Sequence, residues 1–110
     1  MQTLRLRATA RWDALFKRDF DLAYAFTSPA YREVYTAQQY AVGFGRDLDW
    51  QRVEVLQVQA TGPDTALVII RVFFKTIVDW ANDPFEASAV TEESWVKSAD
   101  QWWLLPKSKV

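Results

Sequence analysis

Residues 65–78 read TALVIIRVFFKTIV, a run of β-branched and aromatic residues with two cations and no glycine or proline. Such a run predicts a β-strand. Thr61-Gly62-Pro63-Asp64 precedes it as a turn, and Arg52 to Ala60, rich in Val, precedes the turn, so the two runs form a hairpin. Because side chains alternate along a strand, Ala66, Val68, Ile70, Val72, Phe74 and Val78 share one face and Leu67, Ile69, Arg71, Phe73, Lys75 and Ile77 the other. Downstream, Ala81-Asn82-Asp83-Pro84 marks a connection and Ala87 to Ser98 a third strand. Ala99-Asp100-Gln101 is a tight turn, and Trp102 to Leu105 a last strand closed by Pro106.

Upstream of the hairpin the period changes from two to about 3.6. Leu4, Ala8, Trp12, Leu15, Phe16 and Phe20 recur at three- and four-residue steps, which predicts an amphipathic first helix over Leu4 to Phe20. Asp21 is placed to cap a short second helix, Leu22 to Thr27, ended by Ser28-Pro29. Thr36-Ala37-Gln38-Gln39 has the form of a capping box and predicts a third helix stopped at Gly43 or Gly45. The whole chain, residues 1–110, is therefore expected to be one α+β domain, with three N-terminal helices followed by a four-stranded antiparallel meander.

Composition removes whole classes of chemistry. Half of the 110 residues are hydrophobic and 15% aromatic, including six Trp, so the chain has the means to build a core. There is no cysteine, hence no disulfide, thiolate nucleophile or cysteine metal site. There is no histidine, which excludes His-based acid/base catalysis and nearly all transition-metal sites. The spacing Asp79-x-x-x-Asp83-x-x-Glu86 lacks the features of a calcium loop, and Gly43-x-Gly45 trails a helix rather than opening one, so neither a metal nor a cofactor is expected. Thirteen basic and fourteen acidic residues give a net charge of −1, which predicts no nucleic-acid partner. The longest apolar run, Ala66 to Ile70, is too short for membrane insertion, and a soluble chain is expected in cytoplasm or periplasm alike.

The second face of the long strand carries more large apolar groups than a solvated face needs, and Trp103 and Leu105 of the last strand alternate with Trp102 and Leu104 in the same way. A homodimer through this outer face is the expectation, with Leu67, Ile69, Arg71, Phe73 and Trp103 at the interface. Arg7, Arg11 and Arg18 fall on one stripe of the first helix, bordering its apolar face. They suggest an anion-docking strip, against the simpler reading of a solvated flank whose stems cover apolar surface.

Several stretches resemble nuclear transport factor two-like domains: Trp12 to Phe20, Arg18-Asp19-Phe20-Asp21-Leu22-Ala23-Tyr24, Ser28-Pro29-Ala30-Tyr31-Arg32, and the ending from Ser94 to Trp103 with its Trp95-Val96-Lys97 and Asp100-Gln101-Trp102 elements. The resemblance implies a strongly curved sheet wrapped around three helices as a cone-shaped barrel with a pocket at its open end. It also implies dimerisation through the sheet. Some members of that superfamily are isomerases, cyclases or dehydratases, and others are ligand binders or interaction domains.

A pocket lined by Trp12, Tyr24, Tyr40 and Trp95 is expected, taking a small apolar molecule. A His-free acid/base site would need a carboxylate in an apolar setting and a Tyr donor, for which the candidates are Asp79 or Glu93 with Tyr24 or Tyr40; Asp79, beside Trp80, and Tyr24 are the leading pair. Against this, Asp79 and Glu93 share a stretch with Asp83, Glu86 and Glu92 that reads as a solvated rim. No catalytic residue is therefore assigned, and the expectation is a non-enzymatic ligand-binding or protein-interaction domain.

Overall fold

The structure, a computed structural model, describes residues 2–42, 44, 49–76 and 85–106. It comprises α1 (Gln2–Phe16), α2 (Phe20–Tyr24), α3 (Pro29–Val34), α4 (Ala37–Val42), β1 (Asp49–Gly62), β2 (Thr65–Thr76), β3 (Phe85–Ser98) and β4 (Gln101–Leu105). All four strands lie in one antiparallel sheet in the order β1-β2-β3-β4. The expected α+β class and strand meander are observed, while the helices among the described residues number four rather than three. Gly43, Gly45, Ile77, Val78, Asp79, Trp80 and the Ala81–Pro84 connection lie outside the described residues.

The helix boundaries follow from capping chemistry. α1 does not run on to Phe20, because Arg18 takes a left-handed conformation (φ 58°). Its N–H donates to the Leu15 carbonyl at 3.0 Å and that of Asp19 to the Ala14 carbonyl at 2.9 Å, the paired bonds of a Schellman ending. The reversal makes Asp19, not Asp21, the N-cap of α2, with Oδ1 accepting from the Leu22 N–H at 3.2 Å. Ser28-Pro29 proves to be a start as well as a stop. Ser28 Oγ accepts from the Tyr31 N–H at 3.2 Å and Pro29 fills the first helical position, where its missing N–H costs nothing. The capping box before α4 is reciprocal, since the Gln39 N–H donates to Thr36 Oγ1 at 3.1 Å and the Thr36 N–H to Gln39 Oε1 at 2.8 Å.

β1 breaks the period-two rule three times. Its register against β2 slips between Trp50 and Arg52, Val55 and Gln57, and Ala60 and Gly62, so Gln51, Leu56 and Thr61 are each the extra residue of a bulge. The slips bring Trp50, Val53, Val55, Val58 and Ala60 opposite Phe74, Val72, Ile70, Val68 and Ala66, all on one face. That face, with Trp95, Trp102 and Leu104 from β3 and β4, meets Leu4, Ala8, Trp12 and Leu15 of α1 in a single core cluster. Beyond β4 the sheet is continued by Thr27, which bridges Leu104 in parallel: the Ser28 N–H donates to the Leu104 carbonyl and the Leu104 N–H to the Phe26 carbonyl, each at 2.8 Å.

On the outer face Leu67, Ile69, Arg71 and Phe73 are half-buried. Their cross-strand neighbours are mostly polar, with Gln59, Gln57, Glu54 and Arg52 on β1 and Ser94, Glu92, Val90 and Ser88 on β3. The apolar groups thus form a stripe along β2, and the Arg52 guanidinium lies 3.6 Å from the centroid of the Phe73 ring.

The β3–β4 turn places both Ala99 (φ 52°) and Asp100 (φ 60°) in the left-handed region. A two-residue hairpin requires this, but a Cβ disfavours it at Ala99 by roughly 1–2 kcal/mol. Ala99→Gly is expected to raise stability by about 1 kcal/mol and the thermal midpoint by about 4 °C, as read by circular dichroism. An unchanged or lowered midpoint would contradict the turn geometry.

Candidate functional site

Position 11 of α1 falls on the same stripe as Leu4, Ala8 and Leu15, so its guanidinium is carried into the core, where Arg11 is only 6% exposed. Glu93 arrives from the opposite side, on β3. It alternates with Thr91 and Trp95, and its partner in register is Val68, so it too faces inward and is 8% exposed. The two meet with Arg11 Nη1 donating to Glu93 Oε2 at 2.7 Å.

Each side-chain nitrogen of Arg11 and each carboxylate oxygen of Glu93 has at least one hydrogen-bond partner. Glu93 Oε2 also accepts from Trp12 Nε1 at 3.0 Å, and Oε1 accepts from Trp95 Nε1 at 3.3 Å. The Tyr40 phenolic oxygen accepts from Arg11 Nε at 3.1 Å and Nη2 at 2.9 Å. Among the described residues no buried side-chain polar atom lacks a partner, the condition under which a buried ion pair is tolerated. Burial raises the Tyr40 phenol above its ordinary value, Arg11 opposes the shift by charge and hydrogen bond, and Glu93 adds to it.

Above the network opens a pocket of about 600 Å³. Arg11, Glu93 and Tyr40 stand in its lining together with Trp12, Phe44, Trp50 and Phe74, while Tyr31 comes from α3, Tyr35 from its C-cap and Gln39 from α4. The aromatic rings brace one another. Tyr31 stacks on Tyr35 with centroids 4.8 Å apart, Tyr40 meets Phe44 edge-on at 5.1 Å, and Trp12 meets Trp50 edge-on at 5.8 Å. Burial, with the neighbouring phenols of Tyr40, Tyr35 and Tyr24 behind it, raises the Tyr31 phenol as well.

Of the residues expected to line a pocket, Trp12 and Tyr40 do so. Trp95 is fully buried behind the wall and acts on it through Glu93. Tyr24 also stands behind the wall, its ring 5.9 Å from that of Tyr40, and its hydroxyl donates to the main-chain carbonyl of Tyr35, with the Arg32 carbonyl also within reach at 3.3 Å. It is thus a support for Tyr40 rather than a donor facing the pocket. Asp79 lies outside the described residues.

The reading of Glu93 as part of a solvated rim is corrected: Glu92 is exposed, as a rim residue should be, while Glu93, one residue on, points the opposite way. The reading of Arg11 as a flank residue is corrected likewise. The stripe Arg7, Arg11 and Arg18 does not act as one strip, since Arg11 is internal and Arg18 lies over the Trp50 ring at 4.5 Å. Trp103 falls on the outer face by its pairing with Val96, yet its ring is held against the guanidiniums of Arg7 and Arg32. Among the described residues no group of metal-ligating side chains converges, and no helix is long and apolar enough to cross a membrane.

No protein-family model matches the chain, and the search of curated proteins returns no match. Among solved structures, the chain is similar to the solution structure of a SEC-C motif containing protein from Rhodopseudomonas palustris, with a TM-score of 0.70 at 17% identity over 94% of this chain and 76% of that one. At that identity the likeness concerns the fold: an α+β chain with a four-stranded antiparallel sheet.

Breaking a buried pair leaves one charge uncompensated. Arg11→Met is therefore expected to lower stability by about 3–5 kcal/mol, and the double variant Arg11→Met with Glu93→Leu by less than Arg11→Met alone, measured by urea unfolding. A double variant less stable than the single would contradict the pairing. The raised Tyr40 phenol gives a second expectation. The unfolded chain loses this proton first as pH climbs past the ordinary phenol range, so the contribution of Tyr40 to stability falls through that window. Tyr40→Phe should flatten the alkaline limb of the stability profile.

Proposed function

We propose that the protein is a non-enzymatic binding domain for a small apolar or aromatic molecule, held in the pocket over the Arg11–Glu93–Tyr40 floor. The observation that carries this reading is the pocket itself. Its volume of about 600 Å³ falls among small-molecule sites, and its walls are aromatic with a few convergent polar groups, the usual composition of such sites. Tyr40 accepts two hydrogen bonds from Arg11, and among the described residues nothing accepts the phenol's own proton, so a ligand oxygen has a donor to meet. The three bulges of β1 suit the strongly curved, cone-shaped sheet that the nuclear transport factor two-like resemblance implies, and that architecture belongs to the same proposal.

The alternative is a His-independent isomerase, cyclase or dehydratase, in which Glu93 and Tyr40 take the parts first considered for Asp79 and Tyr24. One observation favours it, the approach of a carboxylate and a phenol to the same guanidinium inside an apolar pocket. Against it, three N–H donors already occupy the Glu93 carboxylate, which suits a structural carboxylate better than a general base.

The homodimer remains part of the proposal, with Leu67, Ile69, Arg71 and Phe73 as its central stripe. Half-burial of these residues within one chain leaves apolar area for a second copy to cover. Light scattering should then report the mass of two chains, and Ile69→Glu should yield a folded monomer.

Ala89 lines the pocket yet is exposed, so a large side chain there fills the cavity without displacing core. Native mass spectrometry of the purified chain is expected to show a small-molecule adduct, and Ala89→Trp to remove it while the thermal midpoint holds within about 2 °C. An empty wild-type chain, together with no quenching of Trp fluorescence by a panel of aromatic ketones and phenols, would sink the binding reading.

A further inference from the structure

Arg7 on α1 and Arg32 on α3 are half-buried away from the pocket, and neither has a carboxylate within ion-pair distance among the described residues. Both are held in place. Arg7 Nε donates to the Trp102 carbonyl at 2.7 Å, and Arg32 Nε donates to the Thr27 carbonyl at 3.1 Å. These two anchors lie on adjoining main-chain segments, because Thr27 is the residue bridged to Leu104 at the margin of the sheet. Each guanidinium carbon is 5.1 Å from the centroid of the Trp103 ring, so the two charges are at most twice that distance apart. The ring is itself fixed, since Trp103 Nε1 donates to the Ser98 carbonyl at 3.1 Å.

With Nε engaged in each case, the terminal nitrogens of both guanidiniums are donors without an acceptor among the described residues. Like charges this close repel, and burial lowers the Arg7 guanidinium from its ordinary value with no carboxylate acting against it. Stacking on Trp103 offsets part of the cost. What the arrangement lacks is a counter-charge.

We propose that Arg7 and Arg32, mounted on Trp103, bind a phosphate group. A phosphate dianion matches the two positive charges, and its oxygens can meet two separate guanidinium forks, whereas a single carboxylate is matched by one. Arg7, Arg32 and Trp103 do not line the pocket, so this site stands independently of the ligand proposed there. The phosphate has two possible sources, the inorganic ion and a phosphate monoester.

The test is calorimetric titration of the full chain with inorganic phosphate and with glycerol 3-phosphate, at slightly alkaline pH and at ionic strength held constant with sodium chloride. Saturable binding is expected, weakened at least about tenfold by Arg7→Gln and by Arg32→Gln, and by less in Arg32→Lys, which keeps the charge and loses the fork. Tighter binding of the monoester would assign the group to a larger molecule, and equal binding to the ion itself. No heat beyond that of matched chloride would overturn the proposal. So would unchanged binding in both glutamine variants, or, should either variant fail to fold, unchanged binding in Arg32→Lys.

Discussion

The fold turns on a single contact, the buried Arg11–Glu93 ion pair. It joins the middle of the first helix to the inner face of β3, across more than eighty residues of sequence, and its remaining valences recruit Trp12, Trp95 and Tyr40. A charge in a core is costly unless every donor and acceptor is met. The constraint is directional as well as energetic. Apolar side chains would allow α1 to slide or rotate on the sheet, whereas the charged contact to Glu93 on β3 ties it to one place there, and two hydrogen bonds to the single Tyr40 oxygen on α4 orient the guanidinium.

From that fixed point the pocket follows. Tyr40 can stand where it does because the guanidinium holds its oxygen on one side and Tyr24, Tyr31 and Phe44 pack its ring on the others. The short helices α3 and α4 are too brief to be stable alone. They are placed by their caps and by this aromatic cluster, which ties them to α1 and to Trp50 at the start of the sheet. The pocket walls and the core are therefore one packed unit, and the polar floor belongs to both.

Much of the fold was legible in residue periodicity. The alternation in residues 65–78 identified the core face of β2, and Ala66, Val68, Ile70 and Val72 are all buried there. Thr36 and Gln39 announced the cap they form. Where the reading failed, a residue had two meanings. Ser28-Pro29 can end one helix or begin the next, and it does both. Arg18 carries no glycine signal for the left-handed reversal it adopts, so α1 was read too long. The bulges of β1 leave no local mark, because only pairing with β2 decides which Val faces inward.

The site was harder to see for a related reason. Arg11 and Glu93 obey the helical and strand periods of the core, but charged residues are ordinarily assigned to the surface, and each looked anomalous without the other. Their positions on buried stripes were the available signal. Of the two tyrosines considered, sequence alone could not tell that Tyr24 turns its hydroxyl to main-chain carbonyls while Tyr40 turns its own to a guanidinium.

The two margins of the sheet are finished differently, and this bears on how the chain behaves in a crowded solution. An open strand edge is a template on which other chains can add strands and begin an aggregate. Along β4 that template is partly occupied by the chain's own segment from Phe26 to Ser28. Along β1 it is broken by bulges at Gln51, Leu56 and Thr61, which interrupt the regular spacing that an added strand would need. In a sequence rich in Val and Trp, the irregularity of β1 thus works against edge-to-edge pairing as well as shaping the fold.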